Sequence, residues 1–287
     1  MNKRFAAMAA TALALTLSLA ACSGSGDHSD STGPTASGRT VSHIHGLGLD
    51  PADQRLYVAT HEGVYTPDAE GEPELVGNSK DDFMGFTVSG AKTFYASGHP
   101  ASGGNKGLIK STDAGKTWKS LSLSGESDFH ALDFAHGTVY GYDSTNGLVR
   151  TTEDGVSWKD GARVEAIDIA VSPQEPDIVL ATTADGAARS ADGGSTFAKG
   201  EKPVRAFLSW AAKDALYGID TSGGVHRSSD GGRTWKKAAT VPGGQPQALT
   251  AVDVEHVLAA TPAGVYESKD GGNAFTKRLA VDTSGAH

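Results

Sequence analysis

A short segment recurs five times along this 287-residue chain, without gaps inside the segment and at nearly constant spacing. The copies are STDAGKTW from Ser111, TTEDGVSW from Thr151, SADGGSTF from Ser190, SSDGGRTW from Ser228 and SKDGGNAF from Ser268. Their first residues lie 40, 39, 38 and 40 positions apart, and a degenerate sixth copy, TPDAEG, starts at Thr66. Repetition at this period is typical of folds in which each repeat is one supersecondary unit. We therefore expect six copies of one structural unit.

Each repeat unit predicts four short β-strands. In the first unit, IHGLGLD is the inner strand A, RLYVATH is B, GVYTP is C and PELVG is D. Alternating apolar residues, punctuated by Gly, Asp and Pro, recur in the other units. Six such sheets closed into a ring leave only short, protected edges. The sequence thus predicts an all-β fold, a six-bladed β-propeller of four-stranded blades over residues 40–287.

The repeated segment resembles the Asp-box, the Ser-x-Asp-x-Gly-x-Thr-Trp hairpin turn of sialidase-like β-propellers, also called BNR repeats. The resemblance covers residues 40–280. It implies that the aspartates accept backbone N–H groups inside turns, while the glycines allow left-handed geometry and the aromatic residues pack between blades. In the copy from Thr151, Glu153 and Asp154 crowd the aspartate position, which predicts a slightly different turn. The structural aspartates are expected at Asp113, Asp192, Asp230 and Asp270.

The start of the chain predicts export and anchoring. A positively charged beginning precedes an apolar run that is short for a membrane span and ends in small residues, as in a secretory signal. The LAAC motif ending at Cys22 resembles the lipobox of bacterial lipoproteins, which implies lipidation of this cysteine; an ordinary cleaved signal is the alternative. We expect a signal peptide over residues 1–21, a flexible Gly/Ser-rich tether over residues 22–39, and an extracytoplasmic protein anchored to the bacterial cell membrane.

Charge and cysteine content limit the partners. The formal net charge is −9, and removal of a leader that contains Lys3 and Arg4 makes it −11. Because no basic stripe offsets this charge, nucleic acid and anionic lipid headgroups are not expected as partners. A single cysteine excludes a disulfide framework. The expected partners are the membrane, through the lipid anchor, and an unidentified protein or small ligand at the propeller rim.

Superposing the six units places one large inner-strand residue from each blade at one level of the central channel. The residue is followed in each blade by a small and then an apolar residue, as in His45-Gly46-Leu47. The predicted ring comprises His45, Met84, His130, Glu165, Arg205 and Gln247.

Strand order predicts which histidines share a rim with this ring. Each inner strand starts on the face that carries the B-to-C connections, where His61 and His99 fall. His43 stands two residues before His45, and side chains two apart in a strand face the same way. Five of the ten histidines therefore collect on one rim, all from the first three blades.

Imidazoles combined with a thioether suit copper, and Cu(I) above all, because soft sulfur discriminates against zinc and magnesium. His61 is left out of the predicted site because its loop could hold it further away. The alternative is a wet pore that these side chains merely solvate, with Met84 filling a gap. The sequence predicts a transition-metal site, with copper as the expected cofactor, formed by His45, Met84, His99, His130 and His43.

The sialidase resemblance implies glycoside hydrolysis, but the residues for it are not assembled. Sialidases need an arginine cluster and a tyrosine nucleophile with a carboxylate partner, whereas Arg205 is the one inner-strand arginine. A general glycosidase needs two carboxylates, which Glu165 could supply with Asp82, Glu126, Asp128 or Asp143, and Tyr142 could stack on a sugar. The sequence favours a non-catalytic binding propeller with a His/Met rim site, followed by an assembly scaffold and then a sialidase-like glycoside hydrolase.

Overall fold

The computed structural model describes residues 41–281, in which every regular element is a β-strand. The predicted signal peptide, the tether and Cys22 lie outside the described residues. No helix within residues 41–281 is long and apolar enough to cross a membrane.

The described residues form 23 strands in six antiparallel sheets, each from one contiguous stretch of chain. Blade 1 contains β1 (Ile44–Leu49), β2 (Leu56–Thr60), β3 (Gly63–Pro67) and β4 (Pro73–Leu75). Blade 2 contains β5 (Asp82–Gly90), β6 (Thr93–His99), β7 (Leu108–Ser111) and β8 (Lys119–Ser122). Blade 3 contains β9 (Phe129–Ala135), β10 (Thr138–Asp143), β11 (Leu148–Thr152) and β12 (Lys159–Arg163). Blade 4 contains β13 (Ile169–Val171), β14 (Val179–Thr183) and β15 (Gly186–Ser190). Blade 5 contains β16 (Phe207–Trp210), β17 (Leu216–Ile219), β18 (Gly224–Ser228) and β19 (Lys236–Thr240). Blade 6 contains β20 (Ala248–Ala251), β21 (Val257–Thr261), β22 (Gly264–Ser268) and β23 (Thr276–Ala280).

The sheets form a six-bladed β-propeller, which confirms the fold predicted from the repeat. The inner strands β1, β5, β9, β13, β16 and β20 follow one another around a central cavity of about 500 Å³, and β20 contacts β1. Blade 4 differs from the others in its outer strand, which is reduced to one bridge between Ala187 and Glu201. The outer segment FAKGEKP contains a glycine and a proline, and both weaken strand pairing.

Side-chain packing closes the ring between blade 6 and blade 1, because each sheet comes from its own stretch of chain. Ile44 and Leu47 of β1 share an apolar core with Leu258 of β21, and all three are at most 4% exposed. Thr250 donates its hydroxyl hydrogen bond to the carbonyl oxygen of Leu47 at 2.8 Å. Closure of the propeller therefore depends on burial of apolar surface between its first and last blades.

The repeated segments form the turns between the third and outer strands. In blade 5, Asp230 accepts a hydrogen bond from the Thr234 N–H at 2.9 Å, and Ser228 accepts one from the Gly232 N–H at 2.9 Å. In blade 3 the acceptor moves one residue along to Asp154, which binds the N–H groups of two following residues. These carboxylates are engaged in holding turns. The same backbone acceptance recurs at Asp113, Asp192 and Asp270.

Candidate metal centre

The inner strands of the first three blades each carry a β-bulge near the same end. The bulged residue is His45 in β1, Met84 in β5 and His130 in β9, since the partner strand skips each of them in its pairing register. A bulge leaves one residue unpaired and redirects its side chain. The repeat superposition placed these three residues at equivalent positions of blades 1, 2 and 3, and each of them is the bulged residue of its inner strand.

A first cluster of polar side chains, formed by His45, His61 and Asp82, lies where blades 1 and 2 meet. His61 follows β2, and its Nδ1 lies 2.9 Å from Oδ2 of Asp82, the first residue of β5. The other carboxylate oxygen of Asp82 lies 3.8 Å from Nε2 of His45. The ring of His61 also contacts that of His45 in an edge arrangement, with centroids 4.5 Å apart. His61, which the sequence prediction left out, therefore lies at the centre of this cluster.

His43 also lies beside the first cluster, but the predicted alternation of side chains along a strand is not the reason. It precedes β1 and has a left-handed backbone, with φ of 43°, which is uncommon for a residue other than glycine. Its ring lies 4.9 Å from that of His61, centroid to centroid. The neighbouring Ser42 donates a hydrogen bond to Glu62 at 2.6 Å, which ties this segment to the loop that carries His61. A turn of the backbone at His43, rather than a straight strand, thus brings His43 next to His61.

Two atoms of the first cluster are buried without a hydrogen-bond partner among the described residues, Nε2 of His45 and Oδ1 of Asp82. Burial, together with the charge of the neighbouring His61, lowers the pKa of His45 to about 4. The imidazole is therefore neutral near pH 7. The nearby Lys106 is held by Asp81 at 2.7 Å. Within residues 41–281, the Asp82 carboxylate thus lies beside two imidazoles and forms no ion pair with a lysine or arginine.

A second cluster, formed by His99, Asp128 and His130, lies where blades 2 and 3 meet. Oδ2 of Asp128 lies 2.6 Å from Nε2 of His130 and 3.4 Å from Nε2 of His99. Burial by itself would raise the pKa of Asp128, but the hydrogen bond and charge of His130 outweigh it and lower that pKa. The same hydrogen bond raises the pKa of His130. The Asp128 side chain is 7% exposed, and its Oδ1 has no hydrogen-bond partner within residues 41–281.

Blade 2 joins the two clusters. Asp82 of β5 and His99 of β6 are directly paired across the two strands, yet Asp82 belongs to the first cluster and His99 to the second. Gly85 allows β5 to approach blade 3 closely, because a Cβ there would lie 2.3 Å from the carbonyl oxygen of Phe129. The two clusters are therefore neighbours on one rim and together contain four histidines and two aspartates, with His43 beside the first.

Met84 is half-buried in β5, two residues after Asp82. The two clusters bring aspartate oxygens to the predicted imidazoles. Participation of the Met84 sulfur stays a prediction.

Of the residues considered for glycoside hydrolysis, Asp82 and Asp128 belong to the two clusters, whereas Glu165 and Tyr142 do not. Glu165 is exposed ahead of β13, and Ile167 and Asp168 line the cavity in its place, because the fourth inner strand starts later than the repeat frame predicted. Tyr142 is 8% exposed and packs in the apolar core between blades 3 and 4, so its ring cannot stack on a sugar. Arg205 is buried with its guanidinium over the Trp235 ring. Of the predicted six-residue ring, His45 and His130 line the cavity, whereas the residues that line it in the described part of the chain do not include Met84, Glu165, Arg205 and Gln247.

The sequence prediction did not assign Asp82 and Asp128 to the metal site and considered them only as carboxylates for glycoside hydrolysis. A signal for them exists in the repeat frame. Each stands two residues before the bulged residue of its blade, as His43 does in blade 1. Extending the superposition by two residues would have placed both carboxylates beside the histidines.

No protein-family model and no curated protein matches this chain. Among solved structures, an ancestral GH74 enzyme is similar over 83% of the chain with 15% identity and a TM-score of 0.53, and the chain spans only 38% of that enzyme. A structural-genomics protein described as a candidate gluconolactonase is similar over 84% of this chain and 90% of its own length, with 13% identity and a TM-score of 0.62. A chain of a nidogen–laminin complex is similar over 78% of this chain and 92% of its own length, with 12% identity and a TM-score of 0.61.

These similarities establish the β-propeller fold and nothing finer. The three proteins carry unrelated names, and the same fold supports unrelated functions. The function of this chain is therefore inferred from the side chains on its rim.

Proposed function

We propose that this propeller is an extracytoplasmic metal-binding protein, anchored to the cell membrane through Cys22, which holds a transition-metal ion between His45, His61 and Asp82. The observation that carries the proposal is the pair of buried atoms, Nε2 of His45 and Oδ1 of Asp82, that face each other without a hydrogen-bond partner in the described part of the chain. Buried polar groups are normally paired or bind metal. A cation between these atoms would satisfy both.

The spacing of the ligand atoms suits such an ion. With bonds of about 2.0–2.2 Å, two ligands of a tetrahedral metal lie about 3.3–3.6 Å apart. The separations here are 2.9 Å from Nδ1 of His61 to Oδ2 of Asp82 and 3.8 Å from Nε2 of His45 to Oδ1 of the same carboxylate. Small side-chain movements would bring all three to an ion. Three protein ligands leave a fourth position for water or another ligand.

The donor set favours copper in its divalent state. Two imidazoles and a carboxylate suit divalent first-row metals, and Cu(II) binds such sites more tightly than Zn(II). A role for Cu(I) depends on the sulfur of Met84 as a further ligand. We therefore expect binding of Cu(II), with Zn(II) weaker at the same site.

The test is a titration of the metal-free full-length protein with Cu(II) and with Zn(II), in competition with a chelator of known affinity. The variant His45→Ala with Asp82→Asn should bind each metal at least about tenfold more weakly, since even residues that only orient ligands contribute 10–100-fold. His226→Ala is the control, because His226 pairs with Asp220 at 2.9 Å in blade 5 and belongs to neither cluster. Equal affinity in wild type and the double variant would refute the proposal and leave the interaction scaffold as the better hypothesis.

A further inference from the structure

We infer that the same rim binds a second metal ion, between His99, Asp128 and His130, beside the ion of the proposed function. The inference rests on the proposed function, since it places two ions on one rim, but the ligands of the second ion are different residues. Oδ2 of Asp128 lies 2.6 Å and 3.4 Å from the imidazole nitrogens of His130 and His99. All three residues offer ligand atoms within 4.8 Å of one another.

The orientation of His99 points to a cation. Its Nδ1 lies 3.0 Å from the carbonyl oxygen of Gly104, and because a carbonyl only accepts, Nδ1 carries the hydrogen. In the neutral ring, Nε2 therefore presents a lone pair towards the Asp128 carboxylate. A metal ion on this side of the ring would bind both the Nε2 lone pair and the Asp128 carboxylate, and the Gly104 contact fixes the ring as outer contacts commonly do for metal-bound histidines.

Asp128 supplies the second observation. Its side chain is 7% exposed, and its Oδ1 has no hydrogen-bond partner within residues 41–281. Ser144 donates a hydrogen bond to Oδ2 at 3.3 Å, so Oδ1 is the oxygen left for a further ligand. To bind an ion through Nε2, His130 must give up to solvent any hydrogen held there towards Asp128, since metal ligands are deprotonated.

The two sites are distinct but adjacent. The paired residues Asp82 and His99 sit on neighbouring strands of blade 2 and turn to opposite clusters. Directly opposed residues in antiparallel strands have Cβ atoms about 4.5–5.5 Å apart. One ion per cluster would thus give the rim a pair of metals, with blade 2 supplying one ligand to each.

The experiment measures metal stoichiometry. Metal-free full-length protein is saturated with Zn(II), freed of excess metal by gel filtration and analysed for zinc per chain by mass spectrometry. We expect two for wild type, one for His99→Asn and one for Asp82→Asn. Asn at position 99 retains a donor towards Gly104 but lacks the distal nitrogen, which separates ligand loss from loop disruption. The double variant His99→Asn with Asp82→Asn should bind none.

The outcomes separate the two proposals. One zinc in wild type, lost in Asp82→Asn and kept in His99→Asn, would overturn the second ion and leave the proposed function intact. One zinc that either variant abolishes would show a single shared site and would also overturn it. No zinc in any protein that retains its folded circular dichroism spectrum would refute both.

Discussion

Nε2 of His45 and Oδ1 of Asp82 face each other across 3.8 Å at the junction of blades 1 and 2, and within residues 41–281 neither atom has a hydrogen-bond partner. Because unpaired buried polar groups cost free energy, a ligand that pairs with both should stabilise the folded state. Metal binding and resistance to unfolding are therefore expected to rise together.

Metal should raise the melting temperature of the full-length protein. Free metal at a hundred times Kd stabilises by about 2.7 kcal/mol, which corresponds to roughly 5–10 °C for a domain of this size. Differential scanning calorimetry with and without Cu(II) measures the shift. Asp82→Asn should reduce it and His226→Ala should not. A shift of the same size in Asp82→Asn would mean that the metal binds elsewhere.

Replacing Met84 by Leu separates the two oxidation states of copper. Leucine has a similar volume but no sulfur, so the apolar packing is largely kept. We expect unchanged Cu(II) affinity and, if the sulfur reaches the cluster, a loss of Cu(I) affinity. Competition with a Cu(I)-specific chelator under reducing conditions measures it. Weaker binding of Cu(II) in Met84→Leu would contradict the ligand set proposed here.

Stability should fall as the pH rises through neutrality because of Asp168. Burial raises the pKa of this carboxyl to about 7, although its Oδ2 accepts a hydrogen bond from the Leu208 N–H at 2.8 Å. A group whose pKa is raised on folding contributes stability below its unfolded pKa and loses it as the pH rises through the folded value.

The corresponding variant is Asp168→Asn, which stays neutral at every pH. Relative to wild type it should gain on the order of 2 kcal/mol between pH 5 and pH 8, since one pKa unit corresponds to about 1.4 kcal/mol and water in the cavity screens part of the effect. Urea unfolding at the two pH values measures the gain. The exposed Asp185→Asn is the control, and parallel behaviour of the two variants would exclude Asp168 as the cause.

Truncating Leu258 should weaken the closure of the ring. Leu258 is fully buried in the core shared by blades 1 and 6, and Leu→Ala changes at such sites cost about 2–5 kcal/mol. The control Val156→Ala alters a side chain that is 61% exposed and should change stability by less than about 0.5 kcal/mol. Hydrogen exchange should show loss of amide protection first in blades 1 and 6. Loss of protection confined to blades 3 and 4 would contradict this prediction.

Anchoring is expected to require Cys22. Replacement by Ser removes the thiol that a lipid would modify, so the protein should move from the membrane fraction to the soluble fraction of exporting cells. Fractionation followed by immunoblotting measures the distribution. Retention of Cys22→Ser in the membrane fraction at wild-type level would argue against lipidation at this position.

The sequence by itself determined the number of blades and the identity of the histidine rim. The spacing of 38–40 residues between copies is a local, periodic property, and residues at equivalent places in a repeat occupy equivalent places in the ring. His45, Met84 and His130 aligned correctly because each is the bulged residue of its inner strand. In blade 4 the inner strand starts later than the frame allows, and Glu165 was misplaced for that reason.

Only the tertiary structure decided which of these residues meet. His61 and Asp82 are 21 positions apart and belong to different blades, so no periodicity within one strand relates them. Their contact depends on how blade 2 packs on blade 1. Likewise, Asp82 and His99 are strand partners whose side chains turn to opposite neighbours. Periodicity fixes which end of a blade a residue occupies, whereas the grouping of ligand atoms depends on inter-blade packing and on which buried atoms remain unpaired.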